Sequence, residues 1–314
     1  MNKVYNTVWN ESTGMWVVTS ELTRKGGRRP RQIRRTALAG LIAGLFLPSA
    51  PALAVDYNNE TLGSGATSSS MLLNAGDTAT DTTINSGGYQ SVSSGGSATS
   101  TTINSGGYQS VSSGGSATST TINYQGLMGV NSGGSATSTT INSGGFQEVR
   151  SGGSVTDTTI NSGGSQEVYS GGSATDTTIN SGGSQYVSSG GSATNITNDG
   201  GSLGIDGNVT DITVNGGNNN MYGGSVTNVT INGAGLNING GSVTSTTINS
   251  GYQNILGGSA TSTTVNNLGF QYIYSGASAT DTTLNSGGYQ YINDGSSATS
   301  TTGKRRVSVY LQRR

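Results

Sequence analysis

From residue 75 to 302 the chain repeats one phrase, typified by SATSTTINSGGYQSVSSGG, and this periodicity limits the possible folds more than any other property of the sequence. An apolar anchor recurs at Ile84, Ile103, Ile122, Ile141, Ile160, Ile179, Ile196, Val214, Ile231, Ile248, Val265 and Leu284, at spacings of 17 to 19 residues. A fixed period near 20 residues is the mark of a solenoid, whose units bury their apolar sides only by stacking on one another. The dozen copies also serve as an internal comparison, since each column is sampled many times.

Two further columns are apolar. Alanine or valine stands five residues before the anchor, as at Ala79, Ala98 and Val155. Eight residues after it come Val92, Val111, Val130, Val149, Val168 and Val187; in shorter copies the offset is seven, giving Leu203, Met221, Ile238 and Ile255. Leu73, six residues before Ala79, reads as the end of a partial rung. The length differences fall in the polar Ser-Gly-Gly stretches. Thr-Thr-Ile and Gln-x-Val favour strands, Gly-Gly pairs favour corners, and no 3.6-residue period supports a helix. The expected fold is all-β: a parallel β-helix of about 12 rungs and 17–19-residue repeats, a rod of roughly 58 Å at ~4.8 Å per rung. Asparagine follows most anchors, and two explanations stand side by side: an amide ladder from rung to rung, or simple tolerance of a tight corner.

Composition alone points the other way. Hydrophobic types make up only 31%, against 53 glycines, which is the profile of a disordered chain. The columns reverse that reading by gathering the apolar residues into one line of cores. Histidine and cysteine are absent, so imidazole bases, thiolates, zinc fingers and disulfides are excluded. Residues 56–303 hold 13 acidic side chains against one base, Arg150, a balance of −12 that does not suit nucleic acid.

The first 54 residues read as an export signal. A basic stretch, Arg28 to Arg35, precedes an apolar run, Thr36 to Leu47, and a small-residue exit at Ala52-Leu53-Ala54, so cleavage is expected between Ala54 and Val55. The apolar run is shorter than the ~18 to 20 residues that span a bilayer. Residues 1–25 are an extension, 26–54 the signal itself, 55–74 a lead-in to the coils of 75–302, and 303–314 a basic tail.

The extension carries Met1-Asn2-Lys3, Trp9-Asn10, Trp16-Val17-Val18 and Ser20-Glu21-Leu22. With the repeat phrase SATSTTINSGG, these residues resemble the extended signal region and passenger repeats of AIDA/TibA-type autotransporter adhesins. The resemblance implies a right-handed β-helix, moved by the export machinery to the cell surface or outer membrane, acting in aggregation, biofilm formation or attachment to host cells through self-association or contact with the host surface. It also implies O-linked heptose added by a glycosyltransferase, with candidate acceptors at Ser97, Thr99, Ser100, Ser116, Thr118, Ser119, Ser135, Thr137 and Ser138. No cofactor or metal is implied, and the Gly-rich phrases fit neither a calcium-binding nonapeptide nor a phosphate loop.

Two surface features compete for function. Tyr89, Tyr108, Phe146, Phe270 and Tyr289 stand five residues after their anchors, with Leu127 and Leu236 in register, and form either a contact ladder or a plug at the corner of the coil. Glu148 and Glu167 share a column, as do Asp157 and Asp176, which raises the alternative of a polysaccharide-active β-helix enzyme. Both acidic columns swap acid for serine or tyrosine in other copies, which favours a solvated surface and a non-enzymatic rod. At the C-terminal end an anchor is due at 303, where Gly303 and then Lys304-Arg305-Arg306 stand instead. The expectation is a truncated reading frame with 303–314 out of register and no translocator barrel, a periplasmic or secreted fragment or a non-functional pseudogene product.

Overall fold

The computed structural model describes residues 5–10, 15–20, 53–303 and 308–312. The chain divides into two units, residues 1–52 and 53–314. In the first, Tyr5–Asn10 and Met15–Ser20 form an antiparallel pair with Trp9 opposite Trp16. The basic stretch and the apolar run of the export signal lie outside the described residues.

The second unit is a parallel β-solenoid of about 13 turns, one more than the sequence count. Each coil has three sides. In the coil of Ile103 they are Ser97–Thr99, Thr102–Ile103 and Tyr108–Val111. Equivalent residues pair 19 apart, Ala98 with Ala117, Ile103 with Ile122 and Val111 with Val130. The predicted columns Ile84, Ile103, Ile122, Ile141, Ile160 and Ile179 are fully buried, as are Val92, Val111, Val130, Val149, Val168 and Val187.

The lead-in is more ordered than a partial rung. Tyr57 pairs with Ala79, Leu62 with Ile84 and Leu73 with Val92, so all three sides are already present. Ala54 and Val55, the expected cleavage point, are exposed, and the Val55 amide donates to Asp77 Oδ1 at 2.8 Å.

Three positions correct the sequence alignment of the copies. Ile179 pairs with Asn198, not Ile196, and Asn198 pairs with Val214. The anchor of that coil is therefore a buried asparagine, and Ile205, not Leu203, stands in the valine column opposite Val187. An apolar residue two positions from a polar anchor misled a pattern built on hydrophobicity. Likewise Leu236 pairs with Asn219 and Gln253 and is buried, so it is core and not part of the aromatic column.

The corners have separable causes. Gly115 and Gly134, second in their Gly-Gly pairs, lie so near the previous coil that a Cβ would stand 2.2 Å from the carbonyl oxygens of Val92 and Val111. The bend between the first two sides is made without glycine. Asp81, Ser100, Ser119, Ser138, Asp157, Asp176, Asn195, Asp211 and their counterparts all take the left-handed conformation, with φ near 55°. Aspartate and asparagine tolerate this region because their short polar side chains bond locally.

Two buried columns are polar. Gln90, Gln109, Gln147, Gln166, Gln185, Gln253, Gln271 and Gln290 are buried inside the third side, facing buried Thr82, Thr101, Thr120, Thr139, Thr158, Thr177, Thr246, Thr263 and Thr282. Most of the amides donate to the coil below, and several also to the threonine of their own coil: Gln109 Nε2 reaches Gln90 Oε1 at 2.7 Å and Thr101 Oγ1 at 3.2 Å, and Thr120 Oγ1 donates back to Gln109 Oε1 at 3.3 Å. Buried amides are stable only with such partners.

Residues 302–303 pair with 283–284, which places Gly303 at the anchor position with no side chain to fill it. Ser308–Gln312 pairs with Tyr289–Asn293 at the same 19-residue offset, so these five residues keep the coil register that the sequence reading gave up at 303.

Candidate functional site

The strand alternation decides what each side offers. On the first side Ala98 is buried while Ser97 and Thr99 point away from the core, and the same holds for Ser116, Thr118, Ser135 and Thr137. Ser100, Ser119 and Ser138 occupy the left-handed corner next to them, also outside the core. All nine hydroxyls named as candidate acceptors thus face outward, whereas Thr101, Thr120 and Thr139 one position on are buried. Asp157 and Asp176 belong to this same exposed corner column, and Ser138 donates to Asp157 Oδ2 at 2.8 Å.

After each anchor the asparagines form the amide ladder. Asn104 Nδ2 donates to Asn85 Oδ1 at 2.9 Å, and the series continues through Asn123, Asn142, Asn161 and Asn180. It resumes where Asn215 Nδ2 donates to Asp199 Oδ1 at 2.7 Å, then runs through Asn232, Asn249, Asn266 and Asn285. Paired this way, the amides are a structural column.

Chemical variety is concentrated on the third side. Its outward positions flank the buried glutamine, so Tyr89, Tyr108, Phe146, Phe270 and Tyr289 stand half-buried outside the coil, and none plugs the corner. Four of them form two stacked pairs. Tyr89 and Tyr108 stack with ring centroids 5.5 Å apart; Phe270 stacks on Tyr289 at 5.2 Å. Between the pairs the column passes through Leu127, Phe146, Ser165 and Ser184, and Tyr252 stands directly before Phe270. In the Glu148 column two residues on, which the sequence marks as solvated because tyrosine replaces acid in some copies, Tyr272 and Tyr291 stack at 4.9 Å. Burial, with Tyr291 next in effect, holds the Tyr272 phenol above its ordinary range.

The same column carries the acids. Glu148 receives Arg150 through Nε at 3.1 Å and Nη2 at 3.0 Å, and the Arg150 guanidinium lies 5.3 Å from the centre of the Tyr169 ring. Tyr169 donates to Glu167 Oε2 at 2.8 Å, and Ser188 Oγ donates to Glu167 Oε1 at 3.5 Å. One coil further, Tyr186 donates to Asp206. The hydrogen bond to Glu167, helped by burial, pushes the Tyr169 phenol up to about 12, and Asp206 does the same to Tyr186. Glu148 raises Arg150 above its ordinary range. Glu148 and Glu167 do sit in adjacent coils, as the shared column predicts.

Between Ser110 and Glu148 this column is interrupted by Gly129. The result is an open notch of about 510 Å³ lined by Tyr108, Gly129, Asn131, Ser132, Glu148, Arg150 and Ser151. A Cβ on Gly129 would stand 2.8 Å from the Tyr108 hydroxyl, so the glycine is what lets that ring reach across.

Comparison with known proteins gives a consistent picture. Residues 1–50 match the model of the Extended Signal Peptide of Type V secretion system. Residues 66–107 and 103–145 match that of the Adhesin of bacterial autotransporter system, probable stalk. Over 93 residues the chain is 96% identical to Autotransporter CRAC of Citrobacter rodentium (strain ICC168), covering 30% of this chain and 6% of that protein. Over 92 residues it is 77% identical to Autotransporter adhesin/invasin TibA of Escherichia coli O78:H11 (strain H10407 / ETEC), covering 29% and 9%. The matched part is thus a small fraction of either curated relative. The crystal structure of a TibC-catalyzed hyper-glycosylated TibA fragment superposes with a TM-score of 0.77 at 50% identity, covering 82% of this chain and 97% of that one.

Proposed function

The chain belongs to the AIDA/TibA-type autotransporter adhesin family, and from that premise we propose that it serves as a non-enzymatic passenger rod, exported to the cell surface, that holds cells to one another or to a host surface. One observation carries this reading: the outward aromatic rings and the Glu148–Arg150 and Glu167–Tyr169 pairs stand on the third side of the coils, while the other two present ranks of outward hydroxyls with aspartates at the corner between them. A long face of repeated weak contacts suits multivalent adhesion, in which a second contact forms at high effective concentration once the first is made.

The carboxylates support a binding surface more than a hydrolase. A glycosidase needs one carboxyl that holds a proton and a second that attacks or activates water. Glu148 is instead engaged by Arg150, and Glu167 accepts from Tyr169 and Ser188.

The outward Ser97, Thr99, Ser100 and their repeats are the positions we assign to glycosylation, because a sugar there leaves the core columns intact. On co-expression with a TibC-type glycosyltransferase, mass spectrometry should find sugars on these hydroxyls and none on buried Thr101, Thr120 or Thr139; modification of the buried set would overturn the assignment.

Display of the chain in a non-aggregating Gram-negative host tests the adhesin reading. Cultures should settle faster, or cells should be retained on host monolayers. A chain cleaved by external protease, and so displayed, that does neither defeats the proposal. Release of reducing ends from a polysaccharide, lost on substitution of Glu148 or Glu167, would defeat its non-enzymatic part.

A further inference from the structure

The notch at Gly129 differs from the rest of the rod surface in the groups it brings together. Its lower wall is Tyr108, backed by Tyr89 through a ring stack of 5.5 Å. Its upper wall is the Glu148–Arg150 pair, two coils away, and Asn131 stands beside the floor. At ~4.8 Å per coil the walls belong to strands roughly 9.6 Å apart. In the intervening coil Gly129 carries no side chain where its neighbours in the column carry Ser110 and Glu148, and the Tyr108 ring lies across it, so that the ring faces the Glu148–Arg150 pair with no other side chain between. The notch between ring and ion pair has a volume of about 510 Å³, within the range of small-molecule sites.

The groups on its walls have complementary uses. An aromatic ring offers an apolar face with a polar tip. Planar carboxylate, amide and guanidinium groups pair with neighbouring hydroxyls through two-pronged hydrogen bonds. Arg150 makes its hydrogen bonds to Glu148 through Nε and Nη2, and its side chain stays 57% exposed at the rim. A rod with a balance of −12 disfavours an acidic ligand, and the Glu148 carboxylate already neutralises Arg150. What fits an apolar ring on one wall and planar hydrogen-bonding groups on the other is a neutral sugar ring, with C–H groups on one face and hydroxyls at its edge.

We propose that the notch bounded by Tyr108, Gly129, Asn131, Glu148 and Arg150 is a binding site for a neutral pyranose at the end of a glycan. Tyr108 packs against the sugar ring, while Asn131, Glu148 and Arg150 take its hydroxyls. This rests on the adhesin reading and gives it a specific point of contact, which Gly129 creates by letting the Tyr108 ring lie across the column toward Glu148 and Arg150.

The test uses the full chain produced without a glycosyltransferase, applied to an array of immobilised oligosaccharides ending in glucose, galactose, mannose or N-acetylglucosamine, with sialylated and uronic-acid glycans alongside. The chain should retain a subset of the neutral set. Tyr108→Ala should weaken that binding roughly tenfold, Tyr108→Phe should hold it within about threefold, and Gly129→Val, whose side chain would displace the Tyr108 ring, should abolish it. Thermal melts of the variants report folding, and because Tyr108 is half-buried on the surface, its alanine variant remains informative if Gly129→Val does not fold. Retention of acidic glycans alone, retention of none, or equal binding by wild type and Tyr108→Ala would each overturn the site. Displayed cells that still settle or attach in those cases leave the adhesin reading standing; displayed wild-type cells that do neither defeat that reading separately.

Discussion

The coils of Gln90 to Gln185 and the coils of Asn198 to Leu236 wind the same backbone around opposite kinds of interior. In the first group a buried glutamine faces a buried threonine. In the second, Leu203 faces Ile196 and Leu236 faces Val229, so both members of the polar pair have been exchanged together. The coil between carries Ile212 and Asn219, and Asn219 finds separate partners in Asn198, Gly216 and Gly235. The difference shows that an amide column inside a solenoid leaves an acceptor to be satisfied where it stops. Below Met128 the column ends with a cap, since Thr120 donates to Gln109 Oε1. At Gln185 it ends without one: the next coil has Ile196 where a threonine would stand, and Gln185 Oε1 has no hydrogen-bond partner.

The largest effect should come from breaking the polar column from within. Gln109→Leu removes the donor to Gln90 and the acceptor for Thr120 at once, and is expected to lower stability by about 2–4 kcal/mol in chemical denaturation. A loss below 0.5 kcal/mol, on the scale of a neutral surface change, would show that the column is dispensable.

The missing cap sharpens the contrast. Ile196→Thr places a hydroxyl where Thr120 stands relative to Gln109, so its loss of apolar burial is partly offset by a bond to Gln185 Oε1. Ile212→Thr makes the same exchange two coils above that acceptor, without reaching it. Ile196→Thr should therefore be the less damaging of the two by about 1–2 kcal/mol, and equal losses would remove the capping argument.

A smaller change is expected on the outside. Asn142→Ala interrupts the half-buried outer amide ladder between Asn123 and Asn161, where water can reach the lost partners, and should lower stability by about 0.5–1 kcal/mol. A loss as large as that of Gln109→Leu would erase the distinction between buried and outer ladders.

The smallest effect is a pH dependence. Tyr169 and Tyr186 ionise near 12 in the fold, above the ordinary 10, so their contribution is whole below about pH 10 and fades as the pH climbs toward 12. Ultraviolet titration of phenolate should find Tyr169 and Tyr186 among the late-ionising tyrosines, and Glu167→Gln should bring Tyr169 down. If the substitution leaves Tyr169 in place, the hydrogen bond to Glu167 is not the cause.

The solenoid, its three apolar columns and its Gly-Gly corners were legible because they follow from periodicity, and periodicity is a property of the string. The polar core was missed for a definable reason. Gln90, Gln109 and Gln147 look like surface residues one at a time, and only their constancy beside the variable Ser91, Ser110 and Glu148 signals burial. The same blind spot hid Asn198, since a search for apolar anchors settled on Ile196 nearby. The aromatic ladder was placed on the right face, yet its two stacked pairs and the notch at Gly129 depend on how rings lie across neighbouring coils. Spacing along the chain does not carry that information.

Asn198 has a consequence for how the rod winds. Copies as alike as those at Ile103, Ile122 and Ile141 could slip by one whole turn during assembly with almost no penalty, because every column would find an equivalent mate. Asn198 does not permit this. Its amide accepts from the Gly200 and Gly201 backbone and donates to Gly201 and Asn219, a set of partners available at one place along the rod. A slipped winding would set Asn219 opposite a different coil and leave polar groups of both residues stranded in the interior, at roughly 1–3 kcal/mol each. The irregular turn is in this sense an index mark that gives a repetitive thread a single absolute phase.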